Sequence, residues 1–298
     1  MSVAGFGFST AQRRDLGGLG DDLARIGDAG ATFAELSLCG MDVVANGRPV
    51  AARVRELGRL TAAHRLRYTA HGPLAANFMD PRHAPLFRRV VEAYLAVCDT
   101  VGARVLVLHT GIVPRRPQAE LDQLHARERE ALRFLGDAAG RLGIKIAIET
   151  LFAFEPDRYT ATPSRLAAEI EAVDHPHVVG CLDLGHCYLY ATHLGLDLET
   201  EVSRFAAVTG HVHIHDNFGL PQTVQGFLPS ETMAFGLGDL HLPLGWGDLP
   251  FGRLLPKLKL RPDTAVIDEL PPHFAVDTAA CAETLRSWLP TIGNETGT

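Results

Sequence analysis

RVLVLH (residues 104–109), IKIAIE (144–149) and VVGCLD (178–183) decide the fold. Each is an apolar run of strand length that closes on one side chain able to bind a metal: His109, Glu149 and Asp183. Runs of this kind read as strands buried on both faces, as in a parallel sheet. Working outward, the same event recurs at VAGFGFS (3–9), TFAELSL (32–38), LRYTAH (66–71), HVHIH (211–215) and TAVIDE (264–269). Amphipathic stretches separate the runs, for example residues 85–101 and 119–142. Eight β/α units in alternation, with no weak run to serve as an open edge, predict an α/β fold that closes as a (β/α)8 TIM barrel. No linker or composition shift divides residues 1–298, so a single domain is expected, frayed only at GNETGT.

Local signals place the helix boundaries. Asp80-Pro81 and Thr162-Pro163 read as N-cap followed by first-turn proline. Gly102, Gly143 and Gly210 read as helix stops. Two connections are long: residues 110–118, which carry Arg115 and Arg116, and the stretch from 217 to about 247, which shows little helical period. Long ordered loops in compact domains usually serve as lids or binding loops.

Composition narrows the function class. The 298 residues are 46% hydrophobic and carry a formal net charge of −7. That balance argues against nucleic acid as partner, which usually requires a basic face. The five cysteines are widely spaced with no C-x-x-C pair, which fits a reducing cytoplasm. No run approaches the roughly 20 apolar residues of a membrane span, and MSVAGFGFSTAQRR lacks a signal-peptide pattern. A soluble cytoplasmic enzyme with no membrane partner is expected. Barrels of this size often associate, so a homo-oligomer is allowed, although no interface signal is legible.

Nine residues form the candidate metal site: His71, His109, Glu149, Asp183, His186, His213, Asp239, His241 and Glu269. A TIM barrel draws its catalytic groups from the carboxyl ends of several strands, and each of these nine sits where a predicted buried strand runs out. Unpaired carboxylates among buried backbone cost on the order of several kcal/mol, and converging ones repel. Pairing with Arg or Lys is the plainer alternative, but few basic residues sit at the run ends. A divalent cation meets the need, and mixed imidazole and carboxylate donors suit Zn²⁺, Mn²⁺, Fe²⁺ or Co²⁺ over Ca²⁺ and Mg²⁺. In HVHIH, period-2 alternation puts His211, His213 and His215 on one face, and spacing does not choose among them. Glu35 either reaches the pocket or pairs with a basic neighbour. Trp246 either walls the pocket or packs under a lid. Cys187 reads as a small buried residue. His64, His83, His125, His175 and His177 read as mostly solvated surface.

At GARVLVLHTG, GIKIAIET, VVGCLDLGHC, HVHIHDN, GDLHLPLGWGDLPF and AVIDEL the chain resembles the xylose isomerase-like TIM-barrel superfamily, from Val3 to about Leu289. That superfamily holds sugar and sugar-phosphate isomerases and epimerases together with the apurinic endonuclease IV family. For the ketose epimerases the resemblance implies one metal on Glu149, Asp183, His213 and Glu269, with the two glutamates as acid and base. For the endonucleases it adds His71, His109, His186, Asp239 and His241, making a trinuclear zinc site. Leu74 stands after HGP where those nucleases would carry an aromatic wedge, which argues against DNA as substrate.

Two chemistries follow. The first is isomerisation or epimerisation of a small sugar, sugar phosphate or polyol through an enediolate. Glu149 and Glu269 exchange protons, His186 polarises the oxygen, and one to three ions, Zn or Mn, assist. The second is phosphoester hydrolysis at a di- or trinuclear zinc site. In either case Arg115 and Arg116 are candidate phosphate contacts. A structural-metal barrel that binds a ligand without turnover is a third reading.

Overall fold

The computed structural model describes residues 3–226 and 228–294. Eight parallel strands close into a barrel in sequence order. They are β1 Gly5–Ser9, β2 Phe33–Leu36, β3 Arg67–His71, β4 Ala103–His109, β5 Lys145–Glu149, β6 Val178–Asp183, β7 Thr209–Ile214 and β8 Ala265–Asp268. All eight fall on the apolar runs expected from sequence, and β1 pairs with both β2 and β8.

Helices pack outside: α1 Leu19–Asp28, α2 Ala51–Ala62, α3 Ala84–Val101, α4 Gln118–Gly140, α5 Pro163–Val173, α6 Leu184–Leu194, α7 Leu198–Ala206, α8 Pro229–Phe235, α9 Phe251–Leu254 and α10 Thr278–Trp288. Their buried stripes recur at helical spacing, as with Leu19, Leu23 and Ile26 on α1. None among the described residues is long and apolar enough to cross a membrane.

Several boundary expectations hold and others need correction. The Thr162 side chain accepts from Arg165 N and Pro163 opens α5, as expected, while Gly102 ends α3 in the left-handed region at φ 74°. Helix α3 starts only at Ala84, because Asp80 Oδ1 accepts from Arg82 N at 2.9 Å and spends Asp80-Pro81 on a turn. α4 ends at Gly140, three residues before Gly143. Gly210 stops no helix: it lies in β7, where a Cβ would come within 2.8 Å of Val179 Cγ2. The alternation is looser than eight equal units, since α6 and α7 both follow β6. The long connection after β7 holds two short helices, α8 and α9. His125 is not on the surface: it is fully buried, 2.9 Å from the Tyr159 hydroxyl and beside Glu128. Of GNETGT, only the first two residues lie within the described range.

The barrel interior is layered. Val107, Ala147, Val179 and Cys181 form one apolar patch, and Phe33, Ala265 and Ile267 another. In the usual barrel such layers continue upward with bulky aliphatic side chains. Here the interior turns polar at Glu35, Thr69, His211 and His213, all buried. That change marks the floor of the site.

Candidate metal centre

All nine candidate residues converge at the carboxyl ends of the strands. Glu149 is the hub. Its Oε2 lies 3.2 Å from His71 Nε2 and 3.3 Å from His109 Nε2. Its Oε1 lies 3.2 Å from His213 Nδ1 and 3.4 Å from His186 Nδ1. Ligand atoms fall into groups within 4.8 Å of one another: His71, His109 and Glu149; Glu149, Asp183, His213 and Glu269; His186, His215, Asp239 and His241. Glu149 belongs to two of them, so one carboxylate is placed to bridge.

Local structure positions each donor. Asp183 ends β6 and caps α6, its Oδ1 accepting from His186 N at 2.7 Å, which leaves Oδ2 buried and without a hydrogen bond. The same turn carries His186 to the mouth three residues on. His71, His186 and His241 hold Nδ1 against the main-chain carbonyls of Gly72, Thr150 and Glu269 at 3.2, 2.9 and 3.2 Å. A proton kept on Nδ1 in this way frees Nε2 for a ligand. His241 sits at φ 45°, left-handed backbone that a non-glycine residue adopts at some cost. Its Nε2 thereby approaches Asp239 Oδ2 to 2.9 Å, where His186 Nε2 lies at 3.2 Å.

Two interior residues were not resolved from sequence. His215, the last of the three alternating histidines, is fully buried, and its ring stacks on His241 with centroids 3.9 Å apart. A Cβ at Gly185 would meet that ring at 2.1 Å, so glycine there makes room for His215. Among the described residues neither ring nitrogen of His215 has a hydrogen-bond partner, while Nε2 lies 3.3 Å from Asp183 Oδ1. Glu35, weighed in sequence against a basic partner, lies instead between His211 and His213. The period-2 pattern was the available signal for His215; nothing local singled out Glu35.

The electrostatics suit a cation. Glu149, Asp183, Asp239 and Glu269 are paired with imidazoles and, among the described residues, with no Lys or Arg. Burial opposes the charged form of Glu149, yet His213, His71 and His109 draw its pKa well below the usual range. Asp183 falls to about 2 against the same penalty, through His186 and His215. On the imidazoles, burial works against protonation, but Glu149 lifts His71 to about 9 and Asp239 lifts His241 to about 9. Burial holds His109 down at about 4, a neutral ligand as it stands. Orphaned atoms at Asp183 Oδ2, Asp239 Oδ1 and both nitrogens of His215 are what a bound cation would satisfy. The donor set fits divalent metal.

A cavity of about 460 Å³ opens above the cluster. Ser9, Thr10, Gln12 and Ser37 line one side, with Leu74 and Leu270 among the apolar walls. Arg115 and Arg116 are not part of it. Arg115 Nε donates to Pro156 O at 3.0 Å and Arg116 NH1 to Glu120 at 3.2 Å, which ties Arg115 to the segment after β5 and Arg116 to the first turn of α4. Trp246 is exposed, its ring edge-on to Phe274, and Cys187 is fully buried.

Residues 23–289 match the family model described as xylose isomerase-like TIM barrel. A D-tagatose 3-epimerase-like protein superposes with TM-score 0.71 at 18% identity, covering 98% of this chain and 100% of its own. D-allulose 3-epimerase from Methylomonas sp., solved with D-allulose, gives 0.68 at 17% identity, covering 96% and 97%. An IolI protein with a binding zinc atom gives 0.67 at 16% identity, covering 99% and 100%. No curated protein sequence matches the chain. At these identities the likeness establishes the fold.

Proposed function

The chain belongs to the xylose isomerase-like TIM-barrel family, and on that premise we propose that it is a divalent-metal-dependent isomerase or epimerase of a small sugar, sugar phosphate or related polyol. The observation that carries the reading is the Glu149, Asp183, His213 and Glu269 group beneath a cavity lined by hydroxyl and amide side chains. Such side chains suit a hydroxyl-rich substrate. Similarity to sugar epimerases of known structure, and to an IolI protein with a binding zinc atom, supports the substrate class and a divalent metal such as zinc.

A bound divalent cation supplies Lewis acidity toward a carbonyl and its neighbouring hydroxyl. Glu149, Asp183, His213 and Glu269 are the residues that would hold it. Glu149 and Glu269 are the proton-transfer pair. One carboxylate takes the proton from the carbon next to the carbonyl, and the C–H electron pair forms the enediolate double bond. The other carboxylic acid then delivers a proton to the opposite face, which inverts the centre. Delivery to the former carbonyl carbon, with the hydroxyl proton passing from the neighbouring oxygen to the former carbonyl oxygen, isomerises instead. Positioned acid–base groups of this kind contribute about 10²–10⁴-fold to rate. His186, its Nδ1 held by the Thr150 carbonyl, donates toward the substrate oxygen from Nε2 when that nitrogen is protonated.

A second reading is phosphoester hydrolysis at a di- or trinuclear zinc centre, with several overlapping ligand groups and a Glu149 shared between two of them in its favour. Metal analysis and a ketose panel in deuterated water separate the two. One ion per chain, with deuterium entering a ketose at the carbon beside its carbonyl, is expected for the epimerase. Two or three zinc ions, with release of phosphate from small esters and no exchange, would overturn it. Glu149→Gln and Glu269→Gln are each expected to lower turnover by at least about 10²-fold. Turnover retained by either variant rejects the pair.

A further inference from the structure

Among the described residues, Glu35 is the one glutamate with no exposed surface, and neither chemistry uses it. It lies on β2 beneath the metal cluster, and its Oε2 accepts from Thr69 Oγ1 at 2.9 Å and from His211 Nε2 at 2.8 Å. Its Oε1 lies 2.8 Å from His213 Nε2. That approach is too bent to count as a hydrogen bond, yet neither atom has a hydrogen-bond partner elsewhere among the described residues. Its ion-pair partners among those residues are imidazoles, with no Lys or Arg.

His213 is oriented opposite to its neighbours in the cluster. His71, His186 and His241 turn Nδ1 toward a main-chain carbonyl. His213 instead turns Nδ1 toward Glu149 Oε1 at 3.2 Å and Glu269 Oε2 at 3.5 Å, and its rear nitrogen meets a carboxylate. The placement carries a cost, because a buried charged group is often outdone in stability by apolar residues of similar volume. The barrel interior normally supplies such residues at this depth. A carboxylate behind a ligand imidazole selects which nitrogen keeps the proton and raises the basicity of the other.

We infer that Glu35 is a positioning residue for the metal centre: it keeps the proton of His213 on Nε2, so that Nδ1 presents its lone pair to the ion shared with Glu149, Asp183 and Glu269. Thr69 and His211 lock the carboxylate in place, and His211 need not touch the ion. The inference rests on the metal reading above and assigns to Glu35 a task within it.

The test compares zinc-loaded wild-type protein with Glu35→Gln, by zinc content per chain and by competition against a chelator. The variant is expected to hold the ion at His213 about 10–100-fold more weakly. Its Co²⁺ absorption spectrum should change as well, which a merely structural role would not bring about. Unchanged zinc affinity in a folded variant overturns the inference. If Glu35→Gln does not fold, nitrogen NMR of wild-type protein with labelled histidine decides instead. A proton on Nε2 of His213 with Nδ1 ligated is the expected result, and the reverse tautomer overturns it. Wild-type protein that binds no zinc at all rejects the metal reading itself, an outcome distinct from a variant that matches the wild type.

Discussion

His71 and His241 show how single residues couple this site to pH. Each is raised from 6.5 to about 9, burial being outweighed by Glu149 in one case and Asp239 in the other. A group whose folded pKa is raised stabilises the fold fully below its unfolded value and loses that contribution as pH climbs through the folded one. The metal-free protein should therefore lose stability between pH 6.5 and about 9. An ion on Glu149 takes up the negative charge that raises His71, so the zinc-loaded protein should show less of this slope. Tm against pH, with and without a chelator, checks the expectation. Parallel curves would mean that these imidazoles carry no shared charge burden with the carboxylates. At this scale the sequence was legible for His71 and Glu149, because each closes its own apolar run. It was not legible for His125, whose burial depends on Tyr159 from a different element.

The element that most needs support is the connection from β7 to β8, because Asp239 and His241 lie on it and not, as the sequence pattern suggested, at a strand end. Asp216 anchors it. Its carboxylate accepts from Asn217, Gly245, Gly247 and Leu249 amides at 2.9, 2.9, 3.0 and 3.3 Å, while its backbone pairs with Leu242. A Cβ at Gly247 would meet Asn217 O at 2.4 Å, so only glycine lets the loop fold back this tightly. Burial nevertheless pushes the Asp216 pKa up. Asp216→Ala strands those amide donors, each costing about 1–3 kcal/mol where it stays buried. The variant is expected to melt several degrees lower. Under the second, multinuclear reading it should also lose zinc from the His186, Asp239 and His241 group before the Glu149 group. Normal zinc content by elemental analysis would show that the loop holds its ligands without Asp216. Sequence marked this connection as long but not how it is tied. Three of the four amides that give Asp216 its role are about 30 residues away.

For the whole molecule, metal and fold are linked through mass action. An ion held by Glu149, Asp183, His213 and Glu269, from β5, β6, β7 and the residue after β8, stabilises the folded state alone. The gain is about 4 kcal/mol for one site at a thousandfold excess over Kd. Chelator treatment should lower Tm by several degrees and zinc should restore it. A melt indifferent to both would argue that the cluster is a hydrogen-bonded core without a cation. The amino-acid sequence by itself determined the eight strands, their order around a closed barrel and the convergence of nine candidate ligands. Those features are written locally, in runs of buried residues and in the side chain that ends each run, and β-barrel topology then follows from short right-handed connections. Only the tertiary structure decided which of His211, His213 and His215 faces which partner, and what Glu35 does. Glu35 and His211 are 176 residues apart, and the register between β6 and β7 shifts at Gly180/Cys181. Lateral register and contacts across the barrel arise from closure, and no local stretch of sequence encodes them.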